Sequence, residues 1–211
     1  MSALDLTEER IAGGMLIAPV LFGLMALVIG IVSGAAAGYG PAVQEDLKTM
    51  AEYAGTIYAS NLLFVIIWVV HLLGVALLAR LLYRAGAEQL AILTYTLFLF
   101  AVVSVVAKFT FDMVLELWAA QQVAQGASVP ALYEPLSTWT SSLARLGYII
   151  HIAAMLLIGW ALLRTRVVNA ALAWTALGWS GLWLAVGLFG LGVPAVPLLM
   201  PAAIGVALLA K

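Results

Sequence analysis

Long apolar runs fill most of the chain, and short stretches of polar residues separate them. The runs are continuous and lack the strict alternation of apolar and polar residues that marks a membrane β-strand. An apolar run of about 20 residues is long enough for a helix to cross the hydrocarbon core of a bilayer. The pattern therefore predicts six membrane-spanning helices, at residues 11–36, 57–83, 89–118, 143–163, 169–189 and 193–210.

Two longer polar stretches lie between these predicted spans. Residues 39–56 contain four charged residues, and we expect a loop there, part of which forms a short interfacial helix near Met50 and Tyr53. Residues 119–141 contain three glutamines, two prolines and a glutamate, and this pattern predicts a second polar loop. The remaining connections are short, which favours antiparallel neighbours in a bundle.

Composition strengthens the prediction of a membrane protein. The chain is 65% hydrophobic and 9% charged, whereas about a quarter of the residues of a soluble domain are charged. Backbone groups in lipid need internal hydrogen-bond partners, so long apolar spans must be helical. We therefore predict an all-α polytopic bundle that forms a single transmembrane domain over residues 1–211, with the lipid bilayer as its main partner.

Charge and cysteine content exclude several classes of function. The formal net charge is −1, which argues against a nucleic-acid partner. The chain has no cysteine, so by itself it forms no disulfide, thiolate metal site, iron–sulfur cluster or thioether-linked haem. No cleavable signal peptide is expected, because Met1–Arg10 is acidic and the first apolar run is too long for one.

The distribution of lysine and arginine predicts the orientation of the spans, since cytoplasmic loops carry an excess of both. With the N-terminus in the cytoplasm, six of the nine basic residues lie on that side: Arg10, Arg80, Arg84, Arg164, Arg166 and Lys211. Most of the loop acids then lie on the opposite side. We therefore expect both termini to be cytoplasmic, which agrees with an even number of spans.

The only two histidines, His71 and His151, lie inside the second and fourth predicted spans. Each stands 13 residues before an arginine, Arg84 or Arg164, so both imidazoles should lie roughly 20 Å from the same end of the bundle. A shift of 80 residues aligns both histidines and their neighbours, which suggests a duplicated helix pair. If spans 2 to 5 form a four-helix bundle, the two histidines face each other across its core.

A diagonal pair of histidines at one depth matches the axial ligands of a membrane haem b, a group suited to one-electron transfer. Gly74 and Ala154, one turn further on, would leave room for the porphyrin. Its propionates would pair with guanidinium groups, and the candidates are Arg80, Arg84 and Arg145. Alternatively, the histidines donate to a neighbouring helix and serve packing alone, or they take part in a proton relay or contact a substrate.

A charged stripe on the third predicted span offers a different site. Lys108, Asp112 and Glu116 recur at intervals of four residues, so they share one face of a helix, and Ser104 extends that face inward. The stripe fits a polar vestibule that binds a cation, a proton or a polar substrate. The alternative is that Lys108 reaches toward the interface and pairs with Asp112 to stabilise the end of the helix.

Several segments resemble an uncharacterised bacterial family of six-helix membrane proteins. They are Ala59–Phe64 and Ala79–Tyr83 in span 2, Ile158–Leu163 in span 4 and Leu199–Gly205 in span 6. The resemblance implies a fold and a topology, but no activity or functional residue. We also expect the protein to lie in the cell (inner) membrane. Paired intramembrane histidines do not mark that family.

The sequence therefore leaves three hypotheses for function, and whether the protein is an enzyme stays open. The first is an electron-transfer protein or membrane anchor that carries haem b on His71 and His151. The second is a non-catalytic accessory subunit that binds other membrane subunits. The third is a small transporter or channel that uses Lys108, Asp112 and Glu116.

Overall fold

The computed structural model describes residues 3–32, 43–188 and 199–210. Within these ranges the chain is almost wholly helical and contains no β-strand, which confirms the all-α class. The helices are α1 (Ala3–Val32), α2 (Val43–Glu52), α3 (Ala54–Arg84), α4 (Glu88–Phe111), α5 (Leu117–Ala124), α6 (Tyr133–Thr165), α7 (Ala170–Leu188) and α8 (Leu199–Leu209). A π-helical segment, Asp112–Glu116, joins α4 to α5.

Among the described residues, four helical stretches are long and apolar enough to cross a bilayer, so the chain is a helical membrane protein. They are Thr7–Ala26 within α1, all of α3, the rod from Glu88 to Ala124, and all of α6. The apolar stretches of α7 and α8 are shorter. The count of six spans stays a prediction, and residues 33–36 and 189–198, which belong to its first, fifth and sixth spans or the turn between them, lie outside the described ranges.

The predicted polar loop at 119–141 is wrong over most of its length. The helix that begins at Glu88 continues to Ala124, and α6 begins at Tyr133. It continues because Ala119, Ala120 and Val123 are buried against α2. Gly126, whose φ of +91° suits glycine, follows the end of α5. The first polar stretch does contain the expected short helix, α2, but its apolar side packs on α5.

Three of these four helical stretches are longer than is needed to cross a bilayer. The stretches at α3, Glu88–Ala124 and α6 have 31, 37 and 33 residues, whereas about 20 are enough to cross the hydrocarbon core. We call the end of the bundle opposite Arg84 and Arg164 the distal end. There α2 packs on α5 beside the first turns of α6, and we call this assembly the distal cap.

The long helices pack side by side in the order α8, α1, α3, α4, α6, α7, and α7 touches α8 again. The expected four-helix bundle of spans 2 to 5 is therefore only partly correct, because α7 packs on α6 and α8. Helix α4 lies against both α3 and α6, and α3 also meets α6 directly. The main core lies between these three helices and brings Trp68, Phe98 and Met155 together.

Glycines set the closest helix contacts. A Cβ on Gly13 would lie 2.7 Å from the carbonyl oxygen of Gly205, and a Cβ on Gly205 would lie 2.6 Å from that of Gly13. A Cβ on Gly74 would meet the backbone of Met15 at 3.0 Å. Helices in lipid gain from such contact because close packing replaces the missing hydrophobic drive. Helix α1 is therefore held between α8 and α3.

Candidate functional site

His71 and His151 meet in the core of the bundle. Their ring centroids are 5.3 Å apart and the rings are nearly perpendicular, at 83°. Both side chains are buried, with relative exposures of 0% and 1%. Because α3 and α6 bring them together, the prediction that the two imidazoles lie at one depth is confirmed.

Aromatic rings surround the histidine pair. Phe98 of α4 packs edge-on against both, with centroid distances of 4.8 Å to His71 and 5.1 Å to His151. Trp68 lies 5.2 Å from His151 and 5.6 Å from Tyr148. The pair therefore sits in an apolar, water-poor enclosure that three helices build.

No ring nitrogen of the pair has a hydrogen-bond partner within the described part of the chain. Among the described residues, no hydrogen bond supports the alternative prediction that each histidine donates to a neighbouring helix and serves packing alone. The hydroxyl of Thr94 on α4 is also buried and unpartnered, one turn before Phe98 on the same face. Buried polar groups are nearly always hydrogen-bonded, so five unpaired atoms in one core call for an explanation.

The residues predicted to make room for a haem or to pair with its propionates lie in different parts of the structure. Gly74 faces α1 and not a space beside His71. Arg80 and Arg84 both contact Glu8 of α1, at 3.2 and 2.7 Å. They stand roughly 14 and 20 Å along α3 from His71. Ala154 is fully buried in the core.

Arg145 is the nearest of the three arginines to the pair. It is exposed and precedes His151 by six residues, or about 9 Å along α6. It also lies toward the distal end, whereas Arg80 and Arg84 lie toward the other end. A ligand held by the histidines can therefore reach one arginine set or the other, but not both at once.

The charged stripe forms a connected cluster at the distal end. Lys108 donates to Asp112 in an ion pair, and Tyr133 of α6 donates to Glu116 at 3.0 Å. Asp112 and Glu116 are buried, with relative exposures of 8% and 9%. The expected pairing of Lys108 with Asp112 is confirmed, and Lys108 balances only one of the two carboxylates.

The cluster coincides with the π-helical segment Asp112–Glu116. Such segments are rare and often mark functional sites, because a locally wider turn changes the direction of side chains. Ser104, one turn further inward on the same helix, donates its hydroxyl to the carbonyl of Phe100 and not to the charged cluster. Ser104 instead packs where Gly147 lets α6 approach α4.

Sequence reasoning missed several members of both sites. Trp68 and Tyr148 carried a signal, because each precedes its histidine by three residues in both copies of the possible repeat. Tyr133 and Thr94 carried none. Tyr133 lies in a stretch predicted as a loop, and Thr94 is one of several hydroxyl residues in the spans.

Comparison with known proteins gave no match: no family model, curated protein or solved structure matches this chain. The resemblance to the six-helix bacterial family therefore stays a prediction, and function has to be inferred from the residues themselves.

Proposed function

We propose that this protein is a membrane electron-transfer protein, or the membrane anchor of one, that carries haem b on His71 and His151. One observation carries the proposal. Two fully buried imidazoles from different helices touch in the core, and their four nitrogens have no partner among the described residues. Histidines within a membrane are usually functional.

The separation of the two rings is near what a shared iron would need, but other side chains fill the space around them. Imidazole nitrogens bind a metal at about 2 Å, so the centroids of two rings that shared an iron would lie roughly 6 Å apart. The observed 5.3 Å is close to that value. A porphyrin between the rings also requires Trp68 and Phe98 to turn aside, and both are now packed against the pair.

Each surrounding residue has a stated role in this proposal. His71 and His151 would hold the iron, and a haem b held by two histidines would supply single-electron transfer. Trp68, Phe98 and Tyr148 exclude water. The buried Thr94 hydroxyl, which has no partner among the described residues, would be available to an imidazole N–H, as outer partners of ligating histidines commonly are. Arg145 would pair with a propionate.

An absorption spectrum tests the proposal directly. The protein is purified in mild detergent from haem-supplied cells, and the apoprotein is titrated with haemin. We expect a Soret band and a reduced α-band from the wild type, and the loss of both in His71→Leu and His151→Leu. Tyr148→Phe is the matched control, since it keeps the aromatic wall and both ligands.

Each variant must elute at the wild-type volume, so that loss of haem is not loss of fold. A wild-type protein that shows no Soret shift with haemin sinks the proposal. Leucine variants that bind haemin as well as the wild type have the same consequence.

The topology is part of the same proposal. We propose six spans in the cell (inner) membrane with both termini cytoplasmic. Helices α3 and α6 run in the same direction, because short connections reverse the chain once between α3 and α4 and once between α5 and α6, and α4 packs against both. They end at Arg84 and at Thr165, next to Arg166. These basic ends lie together, which supports their place on the cytoplasmic side.

The other two functions predicted from the sequence stay proposals, and a specific observation favours one of them. No contact among the described residues argues for the accessory subunit with other membrane subunits as partners. A small transporter is favoured by the buried chain from Lys108 through Asp112 and Glu116 to Tyr133, at a π-helical segment. This chain would bind a cation or proton through the carboxylate that Lys108 leaves unbalanced.

Reconstituted vesicles test the transporter. We expect Asp112→Asn and Glu116→Gln each to reduce cation-driven or proton flux at least tenfold, because each removes a buried charge from the chain. Glu134→Gln is the matched control, since Glu134 is exposed beside Tyr133. Unchanged flux in both neutral variants, measured with an internal pH dye and a cation electrode, rules this function out.

A further inference from the structure

The distal cap contains a half-open cavity of about 380 Å³. Phe111 and Ala119 are buried at its floor, and Trp118 and Leu132 are 50% and 71% exposed at its rim. Its lining side chains are apolar apart from the hydroxyl of Tyr133 and the indole N–H of Trp118. Since a water-sized group occupies about 30 Å³, the cavity holds a ligand of about a dozen non-hydrogen atoms.

Three aromatic rings contribute to the cavity wall. Phe111, Trp118 and Tyr133 come from α4, α5 and α6, and Phe111 stacks on Tyr133 with a centroid distance of 6.4 Å. The faces of aromatic rings attract cations, and sets of such rings recognise quaternary ammonium groups. Phe111 and Tyr133 pack against each other, so the ring most open to a cation is Trp118, which is 50% exposed at the rim.

Negative charge lies directly behind this wall. The Tyr133 hydroxyl donates to Glu116 at 3.0 Å, and Lys108 is paired with Asp112. Ranges 43–62 and 105–145, toward the distal end, contain three basic residues, Lys48, Lys108 and Arg145, and six carboxylates: Glu45, Asp46, Glu52, Asp112, Glu116 and Glu134. This field favours cations and repels anionic amphiphiles such as fatty acids.

We propose that the cavity binds a small hydrophobic cation, such as an aryl or alkyl quaternary ammonium ion. The apolar body fills the cavity, Trp118 at the rim contacts the charged head, and Glu116, which lies behind Tyr133 and does not line the cavity, contributes negative charge nearby. The proposal is independent of the histidine pair. It names the substrate class of the transporter suggested above, and binding itself does not require transport.

The test uses full-length protein in nanodiscs of zwitterionic lipid, with calorimetry corrected for uptake by empty nanodiscs. The probes are phenyltrimethylammonium and its neutral isostere, tert-butylbenzene. We expect the cation to bind at least tenfold more tightly than the isostere. Glu116→Gln and Trp118→Leu should each weaken cation binding about tenfold.

Two control variants separate the cavity from its surroundings. Trp139→Leu removes an exposed tryptophan that does not line the cavity, and Glu134→Gln removes an exposed charge next to Tyr133. Both should bind the cation within about twofold of the wild type, and all variants should unfold at similar temperatures.

The inference is overturned if the isostere binds as tightly as the cation, which would make the cavity a neutral apolar or acyl-chain site. It is also overturned if Glu116→Gln has no effect or if millimolar phenyltrimethylammonium does not bind. If the protein binds the cation but shows no flux, the inference about the cavity is supported and the proposed transport function is ruled out. If it shows flux but does not bind the cation, only the inference about the cavity is overturned.

Discussion

Gly13→Val is expected to destabilise the protein by about 3 kcal/mol, as overpacking of a close contact does. A Cβ at this position would lie 2.7 Å from the Gly205 carbonyl oxygen, and backbone cannot turn aside as a side chain can. Helices α1 and α8 must therefore separate. That separation loosens Leu16, Ile204 and Leu208, all of which are almost fully buried.

Thermal unfolding in mild detergent measures this effect, and the apparent melting temperature should fall on the order of 10 °C. Gly14→Val is the matched control, because a Cβ on Gly14 meets nothing within 4 Å. It should change stability by no more than about 0.5 kcal/mol. Equal melting temperatures for the two variants would show that α1 and α8 do not touch as described.

Lys108→Met is expected to cost about 3 kcal/mol, because it leaves a buried carboxylate without its partner. Methionine keeps most of the apolar length of lysine and removes only the charge. Asp112 and Glu116 are then two adjacent buried acids with no cation beside them. The melting temperature in detergent should fall accordingly.

The double variant Lys108→Met with Asp112→Asn should recover most of the lost stability, since it also removes the stranded charge. This rescue identifies a coupling between the two side chains, which a double-mutant cycle quantifies. Lys48→Met is the control, because Lys48 is exposed on α2. If Lys108→Met is as mild as Lys48→Met, the pair behaves as an ordinary surface ion pair.

These two predictions bear on function through the parts they disturb. Gly13 and Gly205 place α1 against α8, and α1 also packs on α3, the helix that carries His71, so a displacement of α1 should also disturb the histidine pair. Lys108 pairs with Asp112 and so contributes to the net charge of the cluster behind Tyr133, which lines the cavity of the distal cap. We therefore expect Gly13→Val to change haem binding as well as stability, and Lys108→Met to change cation binding as well as stability.

Sequence reasoning located helical segments well but misplaced some of their ends. Apolar runs identify lipid-crossing segments because lipid leaves the backbone no alternative to a helix. Beyond the hydrocarbon core that constraint ends, and tertiary contacts decide where a helix stops. The helix from α4 continues through Ala119 and Val123 because α2 packs against them. No local sequence pattern predicts that contact.

In both candidate sites, some contacts could be predicted from the sequence and others could not. Counting residues from Arg84 and Arg164 was enough to place His71 and His151 at one depth, since an α-helix advances by a constant rise per residue. Spacing of four residues was enough to pair Lys108 with Asp112. Neither count could show that Tyr133 would bond to Glu116, because that contact joins two helices across a turn.

By itself, the sequence determined that this chain is a helical membrane protein, that its two histidines share one level and that six of its ten acids lie toward one end. Those conclusions depend on composition and on helical periodicity, which are local properties. Only the tertiary structure decided that the imidazoles touch without hydrogen-bond partners among the described residues, that Gly74 faces α1, and that an aromatic cavity backs onto Glu116. Such features arise from the packing of side chains on separate helices, which the apolar pattern leaves open because lipid and core favour the same residues.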